Sequence, residues 1–321
     1  MTAVIHGTGS YTPSYAMDNN DLAKIVETSD EWIRERTGVI RRHIIQEETT
    51  VTMAAEAARL ALEDRRTCPE DIDLILVATI SSDVILPCAA CCVQKAIGAV
   101  NATCFDLGGA ACSGFVFAYN TAMAYIASGM YHCALVIGSE SLSTLTNWQD
   151  RGTCILFGDG AGAAVLKAAN GRMYQTVTHS DGRKGDALTC KSRYVKGWKS
   201  LPEEETYMQM DGQAVFKFAA RRVPEVIREV LDINELTTQD IDYYVLHQAN
   251  KRIVEAVAKR LGEDMEKFPM NLQEYGNTSS ASIPILLDEM NRDGRLKKGQ
   301  RIIIAGFGAG LSWGANVLEW Q

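Results

Sequence analysis

Three residues in this 321-residue chain have the type and setting for acyl chemistry: Cys112, His247 and Asn277. Cys112 follows an apolar run (residues 102–107) and the turn Gly108-Gly109-Ala110-Ala111, and it opens a helix-compatible stretch. Backbone N–H groups at a helix start favour negative charge, so the thiol is expected to have a lowered pKa and to be a better nucleophile. Its neighbours Ala110, Ala111, Ser113 and Gly114 are small and leave room for a substrate. His247 closes the run Tyr243-Tyr244-Val245-Leu246, and strand ends are where α/β sheets present functional groups. Asn277 lies in Tyr275-Gly276-Asn277-Thr278-Ser279, a turn opening a helix, where by itself an asparagine reads as a cap.

The other candidates read differently. His6, His43, His132 and His179 have no comparable setting, and Cys104 and Cys133 read as packed core. Cys88, Cys91 and Cys92 lack the second ligand pair of a structural zinc site, so no metal is expected. The tail Gly306-Phe307-Gly308-Ala309-Gly310-Leu311-Ser312-Trp313-Gly314 lacks the strand–turn–helix sequel of a dinucleotide loop. Its backbone N–H groups could instead form part of an oxyanion hole.

The elements that must position these residues come twice. Asp71-Ile72-Asp73 before one apolar run matches Asp240-Ile241-Asp242 before another, an offset of 169 residues from Asp71 to Asp240. In the same order, the turn carrying Cys112 matches Gly276-Asn277-Thr278-Ser279-Ser280-Ala281-Ser282. Leu135-Val136-Ile137-Gly138 matches Ile303-Ile304-Ala305-Gly306, and Gly162-Ala163-Ala164-Val165-Leu166 matches Gly314-Ala315-Asn316-Val317-Leu318. A duplicated α/β unit is expected, with halves 1–170 and 171–321. Residues 115–127 are apolar nearly all round and should be buried between two sheets, giving five αβαβα layers. Residues 179–212, rich in Gly, Lys, Asp and Glu, read as an inserted loop or lid.

A hydrophobic fraction of 46% is ample for a large core. The net charge of -8 speaks against nucleic-acid wrapping and anionic membranes. No run is long and apolar enough to span a bilayer, and nine thiols without a framework suggest a reducing, cytoplasmic setting.

Taken together, the motifs resemble the thiolase-like condensing enzymes, and within them the β-ketoacyl-acyl-carrier-protein synthase III family. The resemblance rests on Gly109-Ala110-Ala111-Cys112-Ser113-Gly114-Phe115, Phe157-Gly158-Asp159-Gly160-Ala161-Gly162-Ala163, His247-Gln248-Ala249-Asn250, Gly276-Asn277-Thr278-Ser279 and Gly306-Phe307-Gly308-Ala309-Gly310. Elongating relatives carry a second histidine where Asn277 stands, and thiolases carry a second cysteine in the C-terminal half, whereas the last cysteine here is Cys190.

The resemblance implies a duplicated αβαβα fold, a homodimer, and initiation of fatty-acid synthesis without a cofactor. A short acyl group would pass from acyl-CoA to Cys112 and then condense with malonyl-acyl-carrier protein. It implies a Cys112–His247–Asn277 triad and an oxyanion hole from the N–H groups of Cys112 and Ala309. It also implies CoA contacts at Thr28, Trp32, Arg36, Thr37, Arg151 and Asn250. Carrier-protein contacts are implied at Lys217, Gln248, Ala249, Asn250, Lys251, Arg252 and Lys259, and an acyl pocket at Leu86, Leu142 and Phe157. A leucine at position 86, where relatives carry an aromatic residue, implies longer or branched primers. The competing readings are an acyltransferase of secondary metabolism with a different acceptor, a papain-like hydrolase, which the repeat disfavours, and a non-catalytic acyl-binding paralogue, which the full triad disfavours.

Overall fold

The computed structural model describes residues 1–191 and 197–321. In chain order it contains β1 (Thr2–Tyr11), β2 (Ala16–Asp18), α1 (Asn19–Leu22), α2 (Asp30–Thr37), β3 (Arg41–His43), α3 (Thr50–Asp64), β4 (Leu74–Ala78), α4 (Ala89–Ile97), β5 (Thr103–Leu107), α5 (Gly114–Ala127), β6 (Cys133–Ser141), α6 (Arg151–Cys154) and β7 (Asp159–Ala169). There follow β8 (Val177–Ser180), β9 (Leu188–Thr189), β10 (Gln209–Met210), α7 (Gly212–Ile233), β11 (Tyr243–Leu246), α8 (Lys251–Leu261), α9 (Leu272–Tyr275), α10 (Ser282–Arg292), β12 (Arg301–Gly308) and β13 (Ser312–Glu319).

Two sheets organise these elements, one ordered β1-β7-β6-β4-β5 and the other β8-β13-β12-β11. Read from the β1 and β8 edges, both run through two antiparallel pairings and then a parallel one. Among the described residues the second sheet has no strand matching β5. Strands β4 and β6 are buried along their whole length, as expected when both faces of a sheet are covered. Helices α5 and α10 fill the space between the sheets, α3 and α4 cover the outer face of the first, and α7 and α8 that of the second. This is the five-layer αβαβα arrangement. Helix α5 buries Phe115, Val116, Tyr119, Met123 and Ile126, each contributing about 1.5–3 kcal/mol. It is not covered all round, however: Ala124 is exposed and Phe117, Asn120 and Tyr125 are half-buried. That stripe looks out past the β5 edge, where Tyr125 meets Phe105 edge-on at 6.4 Å.

The matched glycines explain part of the repeat. A Cβ on Gly138 of β6 would lie 2.2 Å from Ser280 O, so that strand admits the turn after Asn277 only because position 138 has no side chain. Its counterpart Gly306 on β12 lies in the same way against the turn carrying Cys112, with Ser113 Cα 3.2 Å from an added Cβ. Each sheet therefore carries the other half's functional turn.

The expected insertion over 179–212 needs a correction. His179 and Ser180 belong to β8, where they pair with Trp313 and Ser312 of β13. The excursion begins after them and holds the β9–β10 hairpin; residues 192–196 of that expectation lie outside the described residues.

Candidate active site

Cys112 stands on a 3-10 turn, Ala111–Ser113, that runs into α5. The residue before it, Ala111, has φ 42°, and the repeat-related Ser279 has φ 50°. A left-handed conformation costs a non-glycine residue about 1–3 kcal/mol, and it persists only where the surroundings enforce it. Both turns are strained at the same place, one presenting Cys112 and the other Asn277.

Asn277 is held from both sides. Its N–H donates to Leu156 O at 2.8 Å, and its carbonyl accepts from Gly158 N at 3.0 Å. Its side-chain Oδ1 accepts from Ser279 N at 2.8 Å. With Oδ1 occupied, the amide's donor nitrogen is turned to the Cys112 thiol, with which the Asn277 side chain is hydrogen-bonded. His247 follows the end of β11; its N–H donates to Ala305 O at 2.8 Å, and its ring meets Phe307 edge-on at 5.3 Å. Ring atom Nδ1 lies 2.7 Å from Ser282 Oγ, which leaves Nε2 for the reaction.

The electrostatics correct one expectation. Burial pushes the Cys112 thiol up to about 12, against the opposing hydrogen bonds of Ser279 and Asn277. The helix start therefore does not outweigh desolvation in the resting site. Burial likewise pushes His247 down to about 3. The resting pair is a neutral thiol and a neutral imidazole rather than an ion pair.

A cavity of about 300 Å³ joins Cys112, His247 and Asn277 to the surface, with Arg36, Thr37 and Asn250 along its length. Asn250 caps α8 and donates to Arg36 O at 3.1 Å, tying the starts of that helix and the end of α2 together. Beside it the guanidinium of Arg151 lies 4.7 Å, and that of Arg36 5.7 Å, from the centre of the Trp32 ring. Thr28 Oγ1 is buried and has no hydrogen-bond partner among the described residues. A second recess, of about 40 Å³, lies behind Cys112 and is lined by Leu142, Phe157 and Ala309 among others.

The implied carrier-protein residues separate into two groups. Lys217, Lys251, Arg252 and Lys259 are exposed on α7 and α8, and Ala249 lines the large cavity. Gln248 cannot meet a partner: it is 1% exposed, its Nε2 donates to Leu246 O, and its Oε1 accepts from Asn271 N. Leu86, implied for the acyl pocket, stands apart from both cavities in the single chain. It is 87% exposed, on the segment that Pro87 leads into α4.

Sequence reasoning missed Ser282 and Glu140. Glu140, wholly buried at the end of β6, accepts from Ser81 Oγ at 2.6 Å and Ile80 N at 3.1 Å on one oxygen, and lies 3.1 Å from Ser279 Oγ with the other. It thereby ties the end of β4 to the Asn277 turn, and burial raises its pKa. The available signal was a carboxylate closing an otherwise uncharged strand. Among the described residues no cluster suited to a metal ion is present.

Two repeated half-sheets around a shared helix layer, with a cysteine, a histidine and an asparagine on one cavity, define a condensing enzyme of the thiolase fold, an acyltransferase. A model described as 3-oxoacyl-(acyl-carrier-protein) synthase III matches residues 105–182, and one for the C-terminal region of the same synthase matches 231–320. The chain is 50% identical to the β-ketoacyl-(acyl-carrier-protein) synthase III of Clostridium acetobutylicum over 98% of both chains. The crystal structure of 3-oxoacyl-(acyl-carrier-protein) synthase III from Aquifex aeolicus is similar with a TM-score of 0.93 at 41% identity, over 99% of this chain and 100% of that one. The priming β-ketosynthase of the R1128 polyketide pathway gives 0.94 at 34% identity, over 99% and 96%. The chain belongs to the β-ketoacyl-(acyl-carrier-protein) synthase III family, whose members are initiating condensing enzymes of fatty-acid synthesis.

Proposed function

We propose that this protein starts fatty-acid synthesis in two steps on Cys112, with acyl-CoA and malonyl-acyl-carrier protein as substrates and no cofactor. The observation that carries the reading is the single cavity of about 300 Å³ on which Cys112, His247 and Asn277 meet. The Cys112 sulfur attacks the thioester carbonyl, its proton passing to Nε2 of His247, and CoA leaves as the thiol. The N–H groups of Cys112 and Ala309 receive the developing oxyanion; support comes from Gly308, whose Cα brings the β12–β13 turn against Cys112 N. In the second step the malonyl thioester oxygen lies between His247 and the Asn277 amide. Loss of CO2 leaves an enolate, whose carbon attacks the acyl group and releases the Cys112 sulfur. Hydrogen bonds that strengthen as charge develops lower the barrier without a metal.

Trp32, Arg36 and Arg151 supply an aromatic face and guanidinium groups suited to an adenine nucleotide. Thr28, Thr37 and Asn250 complete the CoA contacts. Lys217, Lys251, Arg252 and Lys259, exposed on one side of a chain of net charge -8, receive the acidic carrier protein. The enzyme is a cytoplasmic homodimer, with halves 1–170 and 171–321. No helix among the described residues is long and apolar enough to cross a membrane.

The test is to supply acetyl-CoA and malonyl-acyl-carrier protein and to follow the carrier protein by mass spectrometry. A 3-oxoacyl-carrier protein with one CO2 per turnover supports the reading. Acyl transfer to another acceptor without decarboxylation would point to the related acyltransferases of secondary metabolism.

A further inference from the structure

Cys88, Cys91 and Cys104 form a thiol cluster that the acyl chemistry does not use. Cys88-Ala89-Ala90-Cys91 opens α4, which connects the parallel strands β4 and β5. Cys88 is the N-cap residue of that helix, and Cys91 lies one turn on, its N–H donating to Cys88 O at 3.1 Å. Residues three apart on a helix share a face, with Cα atoms about 5 Å apart. That is inside the span of about 4.4–6.8 Å that a disulfide bridges. The side chains use this placement: the Cys88 thiol is hydrogen-bonded to that of Cys91, and the Cys104 thiol, from β5, is hydrogen-bonded to Cys91 as well. All three are free thiols and half-buried, within reach of a small molecule.

The start of α4 does not hold a thiolate. Asp106, on the same face of β5 as Cys104, accepts from Ala89 N and Ala90 N, both at 2.8 Å. Its carboxylate thus occupies the N–H groups that would favour a negative sulfur. Burial raises the pKa of Cys88, with the Asp106 charge adding to it, and pushes Cys104 up to about 12. A dithiol whose thiolate is not stabilised forms a disulfide that is hard to reduce once closed. Cys112 differs, because its partners Ser279 and Asn277 offer a hydroxyl and an amide, which cannot displace a small thiol from a mixed disulfide. We propose that Cys88 and Cys91 are a redox-active pair that takes small-molecule disulfides of the glutathione class ahead of Cys112. One thiol attacks the small disulfide, forming a mixed disulfide and releasing one small thiol; the other then displaces the second. Two protein thiols are oxidised to one disulfide, the small disulfide is reduced to two thiols, and the two protons leave with them. The pair stands whether or not Cys112 carries an acyl group.

The experiment incubates the reduced protein with an excess of oxidised glutathione and then blocks the remaining thiols with an alkylating agent. The intact mass before blocking, and the alkylation of each cysteine by peptide fragmentation, are the readouts. The wild type should lose two hydrogen atoms and two of its nine alkylatable thiols, those of Cys88 and Cys91, while Cys112 is still alkylated. Cys91→Ser should carry one bound glutathione on Cys88 in place of the disulfide. Cys92→Ser, which removes the neighbouring thiol, should behave as wild type. A thermal melt of the reduced proteins reports that each variant is folded, and the wild-type map tests the pair even where a variant does not fold. The proposal is overturned if the wild type loses no hydrogen atoms, if the bond joins Cys91 to Cys104 or involves Cys92, if Cys112 is blocked first, or if Cys91→Ser still closes a disulfide.

Discussion

Replacing Gly308 with alanine tests how closely the tail approaches the nucleophile. A Cβ at that position would lie 2.8 Å from both Ala110 O and Cys112 N, and 3.1 Å from Ser113 N. All three are backbone atoms, so no side chain can swing aside; the turn carrying Cys112 or the end of β12 must shift by about half an ångström or more to reach ordinary contact. Misplacement by about 1 Å at a reacting centre costs about a hundredfold in rate, and removing one oxyanion donor costs about a hundred- to a thousandfold. The expected loss in acetylation rate is therefore at least about tenfold and up to a thousandfold. Overpacking should lower stability by about 1–3 kcal/mol, leaving the protein folded. The assay is the time course of the acetyl adduct on the intact protein beside a thermal melt. Gly182→Ala is the control, because an added Cβ there meets nothing within 4 Å. A Gly308→Ala protein that acylates within about threefold of wild type would refute the close approach and, with it, the oxyanion site, since even one lost donor costs about a hundredfold.

Asn277→Ala should leave acyl transfer from acyl-CoA within about tenfold but slow malonyl decarboxylation by about a hundredfold or more, measured as CO2 release, because one of two enolate donors is gone. The pH dependence of acylation follows from two neutral partners, with Cys112 pushed up to about 12 and His247 down to about 3. Neither group changes charge between about pH 6 and 9, and the thiol's proton passes to His247 within the step, so the rate should stay level across that range; a histidine-like inflection near 6.5 would contradict the buried, neutral imidazole. Reversing Lys217, Arg252 and Lys259 to glutamate should raise KM for the carrier protein by about tenfold or more, in a salt-dependent way, while adduct formation from acyl-CoA stays unchanged.

Much of the fold was legible because the repeat constrains both halves at once. The glycine at 138 and that at 306 occur in matched motifs because each admits the other half's turn, and the strain at Ala111 recurs at Ser279 for the same reason. Cys112 and His247 stand out through local context at a turn and a strand end, whereas Asn277, which alone reads as a cap, stands out only through the family resemblance. The thiol's pKa was not legible, because the helix start is local while the burial that outweighs it comes from layers far apart in sequence. Gln248, a docking residue by the family resemblance, is another case: Asn271 and Leu246 draw its amide inward. Ser282 and Glu140 act through residues 35 and 139 positions away in sequence, a pairing that no local pattern carries. His179 looked like the start of a loop because β8 is short and half exposed; only its register against β13 makes it a strand.

The most direct test of Cys112 as acyl carrier is the mass of the intact protein after brief mixing with acetyl-CoA alone. One acetyl group on the wild type, mapped to the peptide containing Cys112 and absent from Cys112→Ala, is the expected result. An adduct that persists in Cys112→Ala, or that maps to another of the nine cysteines, would contradict it.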